Sequence, residues 1–163
     1  MTNIFYNSKE IKDALPKGKT FTLVGGSFDL IHVGHLFLLE YASLLEDILV
    51  IALLSDSYIK KYKNQTRPII NERQRAKMVA SIKFVDFVYI TDISPSSIET
   101  LEILKPDSVV FGQDFENKKK IDIRLKNIKI SSSRTEVHFL PRFTKEEIST
   151  SLIIKKIKSD VIF

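Results

Sequence analysis

The sequence of 163 residues has no cysteine, so disulfides, thiolate metal sites and cysteine nucleophiles are excluded together, and any metal would need oxygen or imidazole ligands. It has no apolar run near the roughly 20 residues that span a bilayer, and its N-terminus, MTNIFYNSKEIKDALPKGK, lacks an apolar stretch of signal-peptide length. These absences lead us to expect a cytoplasmic protein with no membrane partner. No internal repeat or low-complexity segment argues for a linker, so one domain over residues 1–163 is expected, with a short helix near 8–15. Histidine and glycine are also scarce, at three and five residues, yet Gly25, Gly26, His32, Gly34 and His35 all fall between positions 25 and 35. A generic core has no need of that arrangement.

The formal charge of +5 fits either a nucleic-acid surface or a site for phosphorylated small molecules. No recognition helix or aromatic-basic strand pattern supports the first, and the run Lys118-Lys119-Lys120 reads as a solvated face. No nucleic-acid partner is expected.

Short β-rich runs alternate with longer segments of helical period, the pattern of a parallel sheet flanked by helices. Strands are expected at 20–24, 47–53, 86–90, 107–111 and 135–140. Helices are expected at 33–45, 71–82, from a Ser94 cap to 104, at 117–130 and at 145–158, the last with Ile148, Leu152, Ile153 and Ile157 facing inward. In open parallel sheets ligands collect beyond the carboxyl ends of the strands, where strand order reverses. Gly25, Gly26, His32 and His35 follow the first strand, Ser55 and Asp56 the second, Gly112, Gln113 and Asp114 the fourth, and Arg142 the fifth, so all belong to one edge.

A glycine pair after a strand allows close approach to the backbone, and the following helix start offers free amides and a positive dipole end, together a phosphate cradle. His32 and His35, three apart at that helix start, project to one side and can donate to phosphate oxygens.

The string GSFDLIHVGH resembles the signature of the cytidylyltransferase-like nucleotidyltransferases, G-x-F-D-x-x-H-x-G-H. SDSYIKKYKNQTRPIINERQRA, FVDFV and LKPDSVVFGQDF resemble the nucleotidyl-transferring half of ADP-heptose synthase, whereas LPRFTKEEISTSLI is similar to the L-P-R-T-E-G-I-S-T-T segment of glycerol-3-phosphate and phosphoethanolamine cytidylyltransferases. The resemblance covers residues 10–158. It implies an α/β fold with a single open, mostly parallel five-stranded Rossmann-like sheet and helices on both faces, of the HIGH nucleotidyltransferase type.

The same resemblance implies transfer of a nucleoside monophosphate from CTP or ATP to a small phosphorylated acceptor (sugar, polyol or amino-alcohol phosphate) with release of pyrophosphate. It assigns His32, His35, Lys60, Lys63 and Arg142 to phosphate contact and catalysis, with Lys61 a weaker candidate. Gly25, Gly26, Ser27, Phe28, Asp29, Gly34, Arg75, Gly112, Asp114, Ser149 and Thr150 are assigned to nucleotide binding. Within these, Asp29 is expected to brace the first loop and Arg75 to face a phosphate, while the hydroxyls of Ser149 and Thr150 meet phosphates or cap the last helix. His138 reads as structural. Mg²⁺ held mainly by the substrate and a homodimer are also implied. A catalytically silent nucleotide-binding regulatory module of the same fold is the alternative.

The chain departs from its relatives in an apparent two-residue expansion at 143–147, and in Val110-Phe111-Gly112-Gln113-Asp114-Phe115 where heptose enzymes carry V-K-G-G-D-Y. No kinase-like domain precedes the motif, so the acceptor is expected already phosphorylated.

Overall fold

The computed structural model describes residues 3–62, 65–112, 118–141 and 148–160. Its sheet has six strands, one more than expected, and every pairing is parallel: β1 (Asn3–Phe5), β2 (Phe21–Gly26), β3 (Ile48–Leu54), β4 (Phe87–Thr91), β5 (Ser108–Gly112) and β6 (Glu136–Leu140) lie in the order β1-β4-β3-β2-β5-β6. The added strand, β1, is a three-residue edge beside β4, too short to show a period of its own. β3 is buried along its whole length, as a central parallel strand with both faces covered must be.

Alternate residues of the strands feed two cores. Val24, Leu49, Ile51, Leu53, Val88 and Val110 pack with α2 (Val33–Ala42) and α4 (Glu72–Ala80). Phe21, Leu23, Val50, Ala52, Tyr89 and Val109 pack with α1 (Ser8–Ala14), α5 (Ile98–Leu104) and α6 (Lys118–Ser131). Period-2 alternation thus places helices on both faces.

Three aspartates expected to begin strands lie just before them and tie neighbouring strands at the amino edge. Asp47 accepts from the Thr20 amide at 3.3 Å, Asp86 from Leu49 at 2.8 Å and Asp107 from Phe21 at 3.0 Å. The opposite edge is thereby left for the loops that follow β2, β3 and β5.

Several boundaries move. Helix α5 starts at Ile98 because Ser97, not Ser94, is its cap, accepting from the Thr100 amide at 3.2 Å. The segment after β3, for which no element is expected, forms the short helix α3 (Asp56–Tyr62), capped by Ser55, whose Oγ accepts from the Tyr58 amide. The last helix, α7, runs Thr150–Asp160, and residues 145–147 of its expected span lie outside the described residues. Leu152 and Ile157 do not face inward: they are 42% and 56% exposed.

Candidate functional site

Strand β2 pairs with β3 through Gly26 but with β5 only through Val24, opposite Val110. Beyond that level β2 and β5 part, and the chain reverses its order across the sheet at this point, so a crevice opens between Gly25-Gly26 and Gly112. The cluster conspicuous in the sequence stands at its mouth.

The bare faces of the glycine pair are filled from within the protein. A Cβ at Gly25 would lie 2.6 Å from Cγ of Pro95, and one at Gly26 would lie 2.8 Å from the Phe28 ring. Pro95, in the turn before α5, therefore seals one side of β2, and Phe28 closes the other. A Cβ at Gly112 would meet only Leu38, at 3.4 Å. The loop between β2 and α2 carries two non-glycine residues in the left-handed region, Phe28 at φ 48° and Leu30 at φ 50°. Bulky residues hold that conformation only where their surroundings enforce it.

Three segments supply the enforcement. Asp29 is buried, 3% exposed, and its carboxylate accepts from the amides of Ile69 at 3.0 Å and Ile70 at 3.1 Å, while its carbonyl accepts from Thr150 Oγ1 at 2.7 Å. Arg75, fully buried, donates from Nε to the Ile70 carbonyl at 2.8 Å, from one terminal nitrogen to the Ser27 carbonyl, and from the other to the Leu54 carbonyl at 2.9 Å and to Asp56 Oδ1 at 2.6 Å. The guanidinium thus faces inward to four protein acceptors, where the resemblance had it facing a phosphate. A buried cation must satisfy its donors internally, and these carbonyls do so.

His32 caps α2 and His35 stands in its first turn, with Nδ1 of His35 accepting from the His32 amide at 3.3 Å. The rings lie one against the other, centroids 3.9 Å apart, with Phe28 5.4 Å beyond His35. Nδ1 of His32 is buried and finds no partner among the described residues, and burial lowers this imidazole's pKa from its usual value of 6.5. The ring sits over Gly34, where a Cβ would come within 3.1 Å of it and 3.9 Å of Ile148. The start of α7 therefore reaches the start of α2. Ser149 caps α7, accepting from Leu152 at 3.2 Å, and Thr150 is committed to Asp29, so both hydroxyls of the pair hold structure. Two helix starts with their free amides and positive dipole ends converge beside the histidines, an arrangement that attracts anions.

Lys60 and Lys61 occupy the last turn of α3, exposed, and Lys61 lies 5.0 Å over the Tyr62 ring. Lys63, Asp114 and Arg142 lie outside the described residues. His138 sits on β6 near Tyr41 and Glu136, away from the other two histidines in the fold. The sequence reading missed Pro95 as a packing partner and missed Asp92, whose Oδ1 accepts from both Ser55 and Ser57 at 2.5 Å. The T-D at the end of an apolar run was the available signal for Asp92; nothing local signalled Pro95.

A doubly wound parallel sheet whose second helix, α2, opens on paired imidazoles, one of them over a glycine, defines the nucleotidyltransferase class of α/β domain. The chain belongs to the cytidylyltransferase-like family, whose sequence pattern matches residues 23–156. It is 38% identical over 153 residues to the bifunctional protein HldE of Campylobacter jejuni, covering 93% of this chain and 31% of that protein. It is 41% identical over 133 residues to HldE of Helicobacter pylori, covering 82% and 26%. The chain thus spans about a quarter to a third of the length of these curated relatives. Among solved structures, the fold is similar to the lipopolysaccharide core biosynthesis protein of Thermoplasma volcanium (TM-score 0.65, 23% identity, 77% of this chain and 99% of that one). It is also similar to the pantoate-beta-alanine ligase of Francisella tularensis (TM-score 0.63, 16% identity, 97% and 77%). No helix among the described residues is long and apolar enough to cross a membrane.

Proposed function

We propose that the protein transfers a nucleoside monophosphate from CTP or ATP to a sugar phosphate. An acceptor phosphate oxygen attacks the α-phosphorus, the bond from that phosphorus to the bridging oxygen of the β-phosphate breaks, and pyrophosphate leaves. The acceptor oxygen is already anionic, so no general base is required, and the work consists of alignment and neutralisation of charge.

The observation that carries this reading is the pair of rings His32 and His35 in contact, the first over Gly34, beside the starts of α2 and α7. Imidazole N–H groups and free amides directed to one place suit the oxygens of a triphosphate, which gain charge as the bridging bond breaks. Lys60 supplies further positive charge from the segment after β3, and Ser27 and Gly112 stand at the ends of β2 and β5; Lys63, Asp114 and Arg142, outside the described residues, are assigned to the phosphates or the substrates by the family resemblance alone. The sugar-phosphate acceptor is favoured by the identity to the two HldE proteins over most of this chain.

The chain's own carboxylates suit a cation brought by the substrate. Asp29 is engaged by two amides, and among the described residues no group of three histidine, aspartate or glutamate side chains is arranged to hold a metal ion. Mg²⁺ coordinated by phosphate oxygens would supply charge neutralisation.

The test is pyrophosphate release by the purified protein with each triphosphate, Mg²⁺ and a panel of sugar phosphates. Turnover is expected, with His32→Ala and His35→Ala each lowering kcat by about 10²–10³-fold, as for loss of an oxyanion-stabilising donor. Tight nucleotide binding without turnover, unaffected by His35→Ala, would instead identify a silent regulatory module.

A further inference from the structure

Helix α2, VGHLFLLEYA, is apolar on nearly every side, with Glu40 its one carboxylate and no lysine or arginine. A helix of that kind is normally covered all round. Here only one side is: Leu38, Leu39, Tyr41 and Ala42 enter the core between helix and sheet. Val33, Leu36, Glu40 and Leu44, the last just past the helix end, make a second stripe at helical spacing on the outside. Val33, Leu36 and Leu44 are 38%, 39% and 80% exposed.

Helix α7 is uncovered in the same way. Thr150, Ile153, Ile154 and Ile157 share one face at spacings of three and four, and among the described residues none of these isoleucines belongs to either core. The face is anchored at its first residue, where Thr150 Oγ1 donates to the Asp29 carbonyl at 2.7 Å. Burial then falls along the helix, from half-buried Ile153 and Ile154 to Ile157 at 56% exposed. The two helices adjoin at their starts, because Ile148, just before α7, lies beside Gly34 in the first turn of α2.

Charge decides what can cover these stripes. α7 exposes Lys155, Lys156 and Lys158, so a second α7 laid on it would set lysine against lysine. The α2 stripe offers Glu40 amid apolar side chains and no cation, and so receives both the isoleucines and the lysines of α7. An anionic lipid surface suits α7 alone, since it would repel the carboxylate in the middle of the α2 stripe. Within one copy the two stripes do not cover each other, as the exposure of Leu44 and Ile157 shows. Between two copies related by a two-fold axis they meet twice, which closes the assembly at two.

We propose that the protein pairs with a second copy of itself, α7 of each on α2 of the other, and that the pairing fixes the histidine site. The coupling follows from what α7 touches at its start. Thr150 holds the Asp29 carbonyl in the loop before His32, and Ile148 lies beside Gly34, over which the His32 ring sits. A partner that covers Ile157 thus orders the helix whose first turn braces that loop. The family resemblance supplies neither this surface nor its link to the histidines. The effect on turnover rests on the transfer reading above; the pairing itself does not.

The absence of cysteine makes the test direct. Leu36→Cys or Leu44→Cys is mixed with Ile153→Cys or Ile157→Cys and oxidised, and a disulfide-linked species of twice the chain mass is expected from a mixture but not from either variant alone. Sedimentation equilibrium of the unmodified protein is expected to give a dimer, with Leu44→Asp and Ile157→Asp each raising its dissociation constant by at least about 30-fold, the loss of one interface hot spot. Both positions are more than half exposed, so these variants keep the fold, which unchanged thermal unfolding checks. Pyrophosphate release per chain should fall in both variants, and in the unmodified protein on dilution through the range in which the dimer dissociates. A monomer at every concentration, a dimer indifferent to both aspartates, or linkage of Ile157→Cys to itself as strong as to an α2 cysteine overturns the interface. Dimerisation with constant release per chain overturns the coupling. No pyrophosphate under any condition overturns the transfer reading, and the cross-links then support or overturn the pairing by themselves.

Discussion

The imidazole of His32 occupies the space that a side chain at position 34 would need: a Cβ there would lie 3.1 Å from both Cε1 and Nδ1 of the ring. The glycine between the two histidines is thus explained by the first histidine's own position. Gly34→Ala is expected to displace the ring by a few tenths of an ångström or more and to lower kcat/KM by roughly 10–100-fold, in keeping with the cost of small misplacements in a positioned site. Thermal unfolding should change little by comparison. A variant with full activity would show that the ring's place over residue 34 is irrelevant to turnover.

Gly25 and Pro95 pose the same steric question in the sheet itself. Gly25→Ala would put its Cβ 2.6 Å from Cγ and 2.7 Å from Cβ of Pro95, so the turn before α5 must move. We expect a loss of about 1–3 kcal/mol, the usual cost of overpacking, measured by urea denaturation. Pro95→Gly should restore part of it in the double variant, whereas Pro95→Ala should not, since it retains the clashing Cβ.

Arg75 gives the largest expected stability effect. Arg75→Met leaves Asp56 without its cation and the carbonyls of Ser27, Leu54 and Ile70 without a donor, and breaking such a buried pair costs about 3–5 kcal/mol. Denaturant unfolding gives the value directly. A loss below about 1 kcal/mol would indicate that water replaces these contacts.

His32 predicts a pH dependence of definite sign. Its folded pKa lies below the unfolded value of 6.5 because burial disfavours the charged ring. The unfolded chain therefore takes up a proton first as pH falls below 6.5, and the stability due to this residue is lost through the window down to the folded pKa. On the proposed function, a triphosphate bound against this ring would reverse the preference. Binding should then be accompanied by proton uptake and should tighten as pH falls through that window, as read by calorimetry in buffers of different ionisation enthalpy. His32→Gln should flatten both profiles.

Much of the fold is legible along the chain because it is written in local patterns. The apolar runs of β2 to β6 and the periodic face of α4 are properties of neighbouring residues, and G-S-F-D-L-I-H-V-G-H marks the loop and helix start without reference to anything distant. The three residues of β1 carry no period, and α3 follows lysines and tyrosines that suit a loop as well as a helix.

The sequence by itself determined the alternation of strands and helices, and the gathering of glycines and imidazoles after β2 at the carboxyl edge, since each depends on the order and spacing of side chains. Only the tertiary structure decided that Arg75 turns inward, that Pro95 fills the face of Gly25, that Thr150 is spent on the Asp29 carbonyl, and that Ser55 and Ser57 meet Asp92. The physical reason is the same in each case. A hydrogen bond or a close contact between residues 19 to 121 positions apart is set by how whole elements pack, and no local propensity records it.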